Sequence, residues 1–337
     1  MTHLFAGRRA KVLGLILGLC VFIVSFISSI VFGQTPIPLS AAADAFFHYD
    51  KDSTEHIIIT TSRLSRAVIA AVIGASLAIA GALMQALTKN PLASPSVFGI
   101  NSGAVFCVVL GLAFFPVSSL THYMWFAFAG AGLSAVMVYF LGSLGRDGLS
   151  PLKIVLAGAA INALFVSMSQ GLLVIGQQNL EGALFWLAGS VAGRSLDMLE
   201  PILPFMIGGW AVALVIGRHV NILNSGDDIA KGLGQRTIAV KAVMALVIIV
   251  LAGGSVAVGG SIGFIGLVVP HIVRGLVGTD YRWVIPYSLF IGASLLLLAD
   301  VAARFIIMPQ EVPIGVMTAI IGTPFFVYIA RRGFGKG

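Results

Sequence analysis

Apolar runs separated by short polar or proline-rich breaks recur along the whole chain, at 12–32, 64–86, 96–115, 122–142, 152–174, 201–217, 238–258, 261–277, 284–307 and 313–330. A helix crosses a bilayer core with about 20 apolar residues, so the pattern predicts an all-α polytopic membrane protein of about ten transmembrane helices. The weakest joint lies between the seventh and eighth runs, where Gly253, Gly254, Gly259, Gly260 and Gly263 crowd a turn with almost no polar residues. If that turn stopped short of the surface, the count would drop and everything after it would reverse its orientation. The basic C-terminus, with Arg331, Arg332 and Lys336, argues against this.

Composition sharpens the pattern. Of 337 residues, 58% are hydrophobic and 10% charged, whereas an ordinary soluble domain carries roughly 25% charged residues. A water-soluble globule is excluded, and residues 1–337 read as one transmembrane domain. The first run follows Arg8, Arg9 and Lys11 and is too long for a signal-peptide core, so a retained span is expected. Small-residue spacings at Gly14/Gly18 and Gly99/Gly103 suit close helix packing. Cys20 and Cys107 stand alone in apolar runs and read as packing residues, with no disulfide or metal role.

With the N-terminus inside, fifteen of the 20 Lys and Arg but only four of the 13 acidic residues fall on the inner side. The positive-inside rule favours this orientation, which places both termini in the cytoplasm. Orientation alone explains the net charge of +7, and no nucleic-acid partner is implied. Three connections are long: outer segments 34–60 and 175–200, and the inner loop 218–237. No GxxxxGK[ST] phosphate loop and no HExxH occurs. Any ATP-driven role therefore needs partner chains to hold ATP and Mg, and no cofactor or metal is expected here. His48 and His56 are too isolated to hold a metal.

The inner loop contains Gly226-Asp-Asp-Ile-Ala-Lys-Gly-Leu-Gly-Gln235. Asp227 and Asp228 suit a helix N-terminus, Gly234 is placed to end the helix, and Ile229 and Leu233, four apart around Ala230, share a face. A short helix with a small apolar face suits a groove on another protein. It equally suits a bed of lipid headgroups, and both readings stand.

At the outer side, Arg63 and Arg66 open the second span and Arg304 lies near the end of the ninth. Cations are unfavourable at a helix N-terminus and rare outside. Either these arginines await carboxylates on an external protein, with bidentate geometry as the reason for Arg, or they are settled nearby. In the second reading Arg63 and Arg66 meet Asp50, Asp52, Glu55 or lipid phosphate, and Arg304 meets Asp300 one turn back. Inside the fifth span, Asn162 and Ser169 lie within about 20° of one another around the helix. Such a stripe faces a neighbouring helix, the commoner case, or lines a path. The same choice applies to Gln85, and His271 after Pro270 reads as a packing residue.

At these residues the chain resembles the FecCD-type permeases, the membrane subunits of ATP-binding-cassette importers for iron-siderophores, haem and vitamin B12. The resemblance is carried by Arg63-Leu-Ser-Arg66, Gly74-Ala-Ser-Leu-Ala-Ile-Ala-Gly-Ala-Leu-Met-Gln85 and Asn90-Pro-Leu-Ala-Ser-Pro95. Gly263-Phe-Ile-Gly-Leu-Val-Val-Pro-His-Ile-Val-Arg274, Leu298-Ala-Asp-Val-Ala-Ala-Arg304 and Pro313-Ile-Gly-Val-Met-Thr-Ala-Ile-Ile-Gly-Thr-Pro324 extend it in order along the chain. It implies the ABC importer permease fold of the vitamin B12/iron-siderophore type, a second permease copy or paralogue, two cytoplasmic ATPase subunits and an extracytoplasmic substrate-binding protein. By the same resemblance 226–235 falls on the helices that couple to the ATPases, and Arg63, Arg66 and Arg304 on the outer arginines that meet the binding protein. Ser65 stands where the family often has Pro. The family's inner gate, where the fourth and fifth spans meet, makes Ser150 and Leu152 candidates beside Gln85, Asn162 and Ser169. The expected cargo is an iron-siderophore, with haem or vitamin B12 as alternatives.

Two other classes make demands of their own. An ion-driven secondary transporter needs acidic residues near the midplane, and the apolar runs hold only Asp300, near the outer boundary. An intramembrane enzyme needs facing catalytic or metal-binding groups, and no such set is visible.

Overall fold

The structure is a computed structural model and describes residues 4–5, 7–114, 120–144, 151–175 and 187–334. Among these residues every regular element is helical. The first is α1 (Arg8–Val31), followed by α2 (Leu39–Phe47) and the single turn α3 (Thr54–Ile57) in the outer segment. Next come α4 (Leu64–Thr88), α5 (Ile100–Phe114), α6 (Leu120–Ser143), α7 (Pro151–Ile175) and α8 (Leu203–Asn224). The short α9 (Asp227–Gly232) precedes α10 (Thr237–Gly259), α11 (Ile265–Val277), α12 (Tyr281–Ala303) and α13 (Ile314–Phe334). Each of the ten apolar runs carries one of these helices. Seven are long and apolar enough to cross a membrane, while α5, α11 and the apolar part of α13 are shorter.

The outer segment 34–60 is more than a loop. It holds α2, and α3 continues through one π-helical turn, Ile58–Arg63, into α4, making a helical rod from Thr54 to Thr88. That rod is the centre of the bundle. A helix apolar on all sides has no face for water, and α4 accordingly packs among α1, α8, α10, α11 and α12. Glycines set how close the helices come: Gly74 meets Gly292 of α12, Gly81 meets Gly266 of α11, and Gly103 of α5 meets Gly130 of α6. At each crossing an added Cβ would strike the facing backbone. Of the anticipated small-residue pairs, Gly99 lies against the backbone of Asn162 and Gly14 under the Tyr287 side chain, whereas Gly18 makes only an ordinary contact with Phe290. Leu17, Val136, Phe140, Val174 and Val215 on α1 and α6–α8 point outward, as lipid contact requires. Cys20 also lies exposed on α1 instead of being packed, and Cys107 is half-buried.

Helix ends gather at two opposite ends of the bundle. At one, Lys89, Asp227 and Lys241 meet, Asn221 holds Asp280, and Tyr287 donates to the Lys11 carbonyl. At the other, the C-terminus of α1 meets the residues preceding α4 and following α12. The doubtful turn after α10 is indeed buried: Gly259, Gly260 and Ile262 are covered by protein. The reversal attached to that outcome does not follow. The 13-residue α11, about 20 Å long and so short of a ~30 Å core, still returns to the end at which α10 began, where the Phe5 amide donates to Leu276. Non-helical backbone inside a bundle must find partners in protein. Here the Ser190 amide donates to Gly259 and the Asn101 carboxamide to Ile262, while the Gln85 carboxamide donates to the Gly266 carbonyl within α11, which Pro270 four residues on has no amide hydrogen to satisfy. Phe264 follows the turn in a left-handed conformation, φ 65°.

Candidate functional site

At the end where α1 finishes, Arg63 is the last residue of the π-helical turn, so it lies well inside a helix and not at an unfavourable N-terminus. Its guanidinium is 5% exposed and donates to the carbonyls of Ile30, Val31 and Thr35. Gly33 leaves room for it, since a Cβ there would approach Nη2 to 2.8 Å. Arg304, 3% exposed, donates to the carbonyls of Ser29 and Phe32 at 2.7 Å each. Both cations thus cap the C-terminal end of α1, where the helix dipole is negative and carbonyls lack partners.

Arg66 turns the other way. Its Nε and Nη2 grip the carboxylate of Asp300, at 2.9 and 2.8 Å, and its Nη1 meets Glu311 at 2.6 Å. Asp300 is fully buried and is shared with Arg304. The Arg304–Asp300 contact matches one of the two sequence readings. The acidic partners of Arg66 come instead from far along the chain, and Asp50 is occupied locally with Asp52 and His56.

At the opposite end, Gly226 (φ 122°) starts α9 and Gly234 (φ 79°) ends it, backbone conformations that suit glycine. Ala230 is buried against the bundle, while Ile229 and Leu233 are exposed, Leu233 at 68%. The Asp227 carboxylate lies between Lys241 at 2.5 Å and Lys89 at 3.2 Å. Lys89 reaches it from a left-handed residue, φ 51°, that closes α4. The Lys241 hydrogen bond, with Lys89 adding to it against the opposing effect of burial, holds the Asp227 carboxyl below the usual carboxylate range. On the next loop Arg282, then Asn221, bring Asp280 down to about 2. Gln235 fixes the far side of the loop by donating to the His219 carbonyl.

The gate and path candidates are scattered. Gln85 is buried and bound to the Gly266 carbonyl, with its own Oε1 unpartnered among the described residues. Ser169 is buried and bonds back to Phe165 in its own helix, and Asn162 is half-buried beside Gly99. Leu152 lies in the first turn of α7, and Ser150 lies outside the described residues. None of them lines a cleft of about 190 Å³ between Ser94, Ser96, Val97, Phe264, Leu267, Thr323 and Phe326. His271 packs edge-on against Phe325. Among the described residues no three metal-ligating side chains gather.

The family model described as the FecCD transport family matches residues 21–332. The chain belongs to that family. It is 53% identical over 306 residues to the Bacillus subtilis "Probable siderophore transport system permease protein YfiZ", covering 91% of this chain and 92% of that one. It is 45% identical to the Iron(3+)-hydroxamate import system permease protein FhuB of the same organism, covering 95% of this chain and 83% of FhuB. Among solved structures, a metal-chelate type ABC transporter in an inward-facing conformation superposes with a TM-score of 0.80 at 26% identity, over 94% of this chain and 98% of that one. The permease is therefore a multi-pass membrane protein and an ABC importer's transport subunit.

Proposed function

We propose that this permease carries an iron-siderophore or related iron chelate across the bacterial cytoplasmic membrane, from an external binding protein to the cytoplasm, driven by two partner ATPase subunits. Relatives named for siderophore and ferric-hydroxamate import support the cargo class over haem or vitamin B12. The observation that carries the ATP-driven part is α9. A short helix clamped to the bundle by Asp227 offers Ile229 and Leu233 to solvent, and such an apolar face suits a groove on a cytoplasmic ATPase. Both termini then lie in the cytoplasm with α9. The path is shared with a second permease chain, whether a copy or a paralogue, and the cleft of about 190 Å³ beside α11 and α13 is by itself too small for a drug-sized ligand, which takes about 300–1,000 Å³. At the outer end Arg66 is the arginine within reach of a docking protein, with Arg63 and Arg304 bracing α1 behind it. Ion-coupled transport is disfavoured because Asp300 is already held by two arginines.

Reconstitution tests the reading. Proteoliposomes holding the permease with its ATPase subunits should take up a ferric siderophore only with the binding protein outside and ATP inside. Uptake by the permease alone under an ion gradient would reject it.

A further inference from the structure

The two carboxylates that hold Arg66 differ in what could replace them. Asp300 is fully buried, is gripped through Nε and Nη2, and is needed by Arg304 as well. Glu311 is 29% exposed and pairs with Arg66 through Nη1 alone, Arg66 itself being 12% exposed. Glu311 also belongs to the non-helical segment 304–313, which joins α12 to α13 and carries the exposed apolar residues Phe305, Ile306, Ile307 and Met308. Asp300 and Glu311 match Arg66 and Arg304 in number, while Arg63, on the carbonyls at the end of α1, is a third cation at this end. If Glu311 leaves, Arg66 stays anchored to Asp300 with one positive charge uncompensated and Nη1 free. The vacant position has the geometry of a carboxylate site, and it lies beside an apolar surface that a protein can cover and a small anion cannot.

We propose that Glu311 is an internal placeholder: it occupies the Nη1 position of Arg66 that a carboxylate of the docked external binding protein takes, and docking displaces it. This rests on the docking role proposed for Arg66. Displacement also unpins the segment leading into α13, a helix that borders the cleft through Thr323 and Phe326. The resting permease thereby keeps a buried cation neutral until its partner arrives. The cost is a modest tax on docking. Because a partly exposed ion pair contributes little, removing the competitor should tighten docking by about two- to fivefold.

The test measures docking of the binding protein of the same import system, purified without cargo, to the complete importer in nanodiscs. Glu311→Gln should tighten it by about two- to fivefold, whereas Glu55→Gln, which removes an equal charge from an exposed outer position without touching Arg66, should change it less. In an Arg66→Ala background the gain from Glu311→Gln should vanish, as a cycle of coupled residues requires. Equal effects of Glu311→Gln and Glu55→Gln, or a gain that survives Arg66→Ala, overturn the placeholder. In either case a loss of docking in Arg66→Ala alone leaves the docking reading standing. Unchanged docking in Arg66→Ala overturns both. Thermal unfolding of each importer variant confirms that the compared complexes are folded.

Discussion

The two ends of the α4 rod carry the same motif in opposite surroundings. Outside, Asp300 sits between Arg66 and Arg304 and is fully buried. Inside, Asp227 sits between Lys89 and Lys241, and all three side chains are partly exposed. Burying charge is expensive, and the bond that repays it becomes hard to break, because removing one partner leaves the others stranded. An exposed triad contributes less and can open and close. The outer ion pairs therefore hold α1, α4 and α12 in one arrangement, and those at the other end hold α9 by contacts that open more easily. Arginine outside and lysine inside fit this division, since the planar guanidinium suits desolvated, multidentate contacts and the ammonium is a hydrated point charge.

The comparison breaks most easily at Asp300. Asp300→Ala strands Arg66 and Arg304 and should cost about 3–5 kcal/mol, read as lost folded yield and a lower Tm in detergent. An unchanged Tm would mean that the outer cluster is not buried as described. Next in size is the rod itself. Gly81→Val forces atoms against the Gly266 backbone and should cost about 1–3 kcal/mol, whereas Gly132→Val, where nothing lies near the Cβ, should leave the Tm in place. The inner triad should give the smallest change: Lys89→Ala should lower stability by under about 1 kcal/mol, while thiol labelling of an Ile229→Cys variant speeds up as α9 loosens. Its pH dependence has a definite sign. Because the Asp227 carboxyl is held below its ordinary value, its contribution is complete above about pH 4 and is lost only as the pH falls further, through the depressed folded-state value. Labelling at 229 should therefore be flat across neutral pH, after correction for thiol ionisation.

Much of this was legible in the sequence, in physical terms. Apolar runs long enough for a bilayer located every long helix, because a membrane leaves the backbone few alternatives to a helix. Helix ends were harder. Phe305, Ile306 and Ile307 extend the ninth apolar run, but α12 ends at Ala303, and the chain then bends so that Arg304 reaches α1. Gly99 and Phe264, both with positive φ, delay the starts of α5 and α11 past the edges of their apolar runs. The short α9 was readable from its glycines and acidic first turn, which are local signals. The Arg304–Asp300 pair, one helical turn apart, was readable too, but the partners of Arg66 were not, since Arg66 and Asp300 lie 234 positions apart and Arg66 and Glu311 lie 245 apart. No local pattern announces such a pair, and nearby Asp50, Asp52 and Glu55 were the natural wrong candidates. The cleft walls at Ser94, Phe264 and Thr323 were equally hidden, because they meet only once α11 turns back beneath the surface.

The central claim, that ATP hydrolysis drives this permease through α9, is tested most directly by Leu233→Asp. In proteoliposomes containing the ATPase subunits and the external binding protein, the charge would enter an apolar contact while leaving the bundle intact, because Leu233 is exposed there. The account predicts normal insertion and Tm, with ferric-siderophore uptake lost or reduced at least about tenfold per ATP hydrolysed, the effect of about 1.4 kcal/mol of lost contact. Uptake and ATPase association equal to the parent protein would contradict it and return α9 to a helix resting on lipid headgroups.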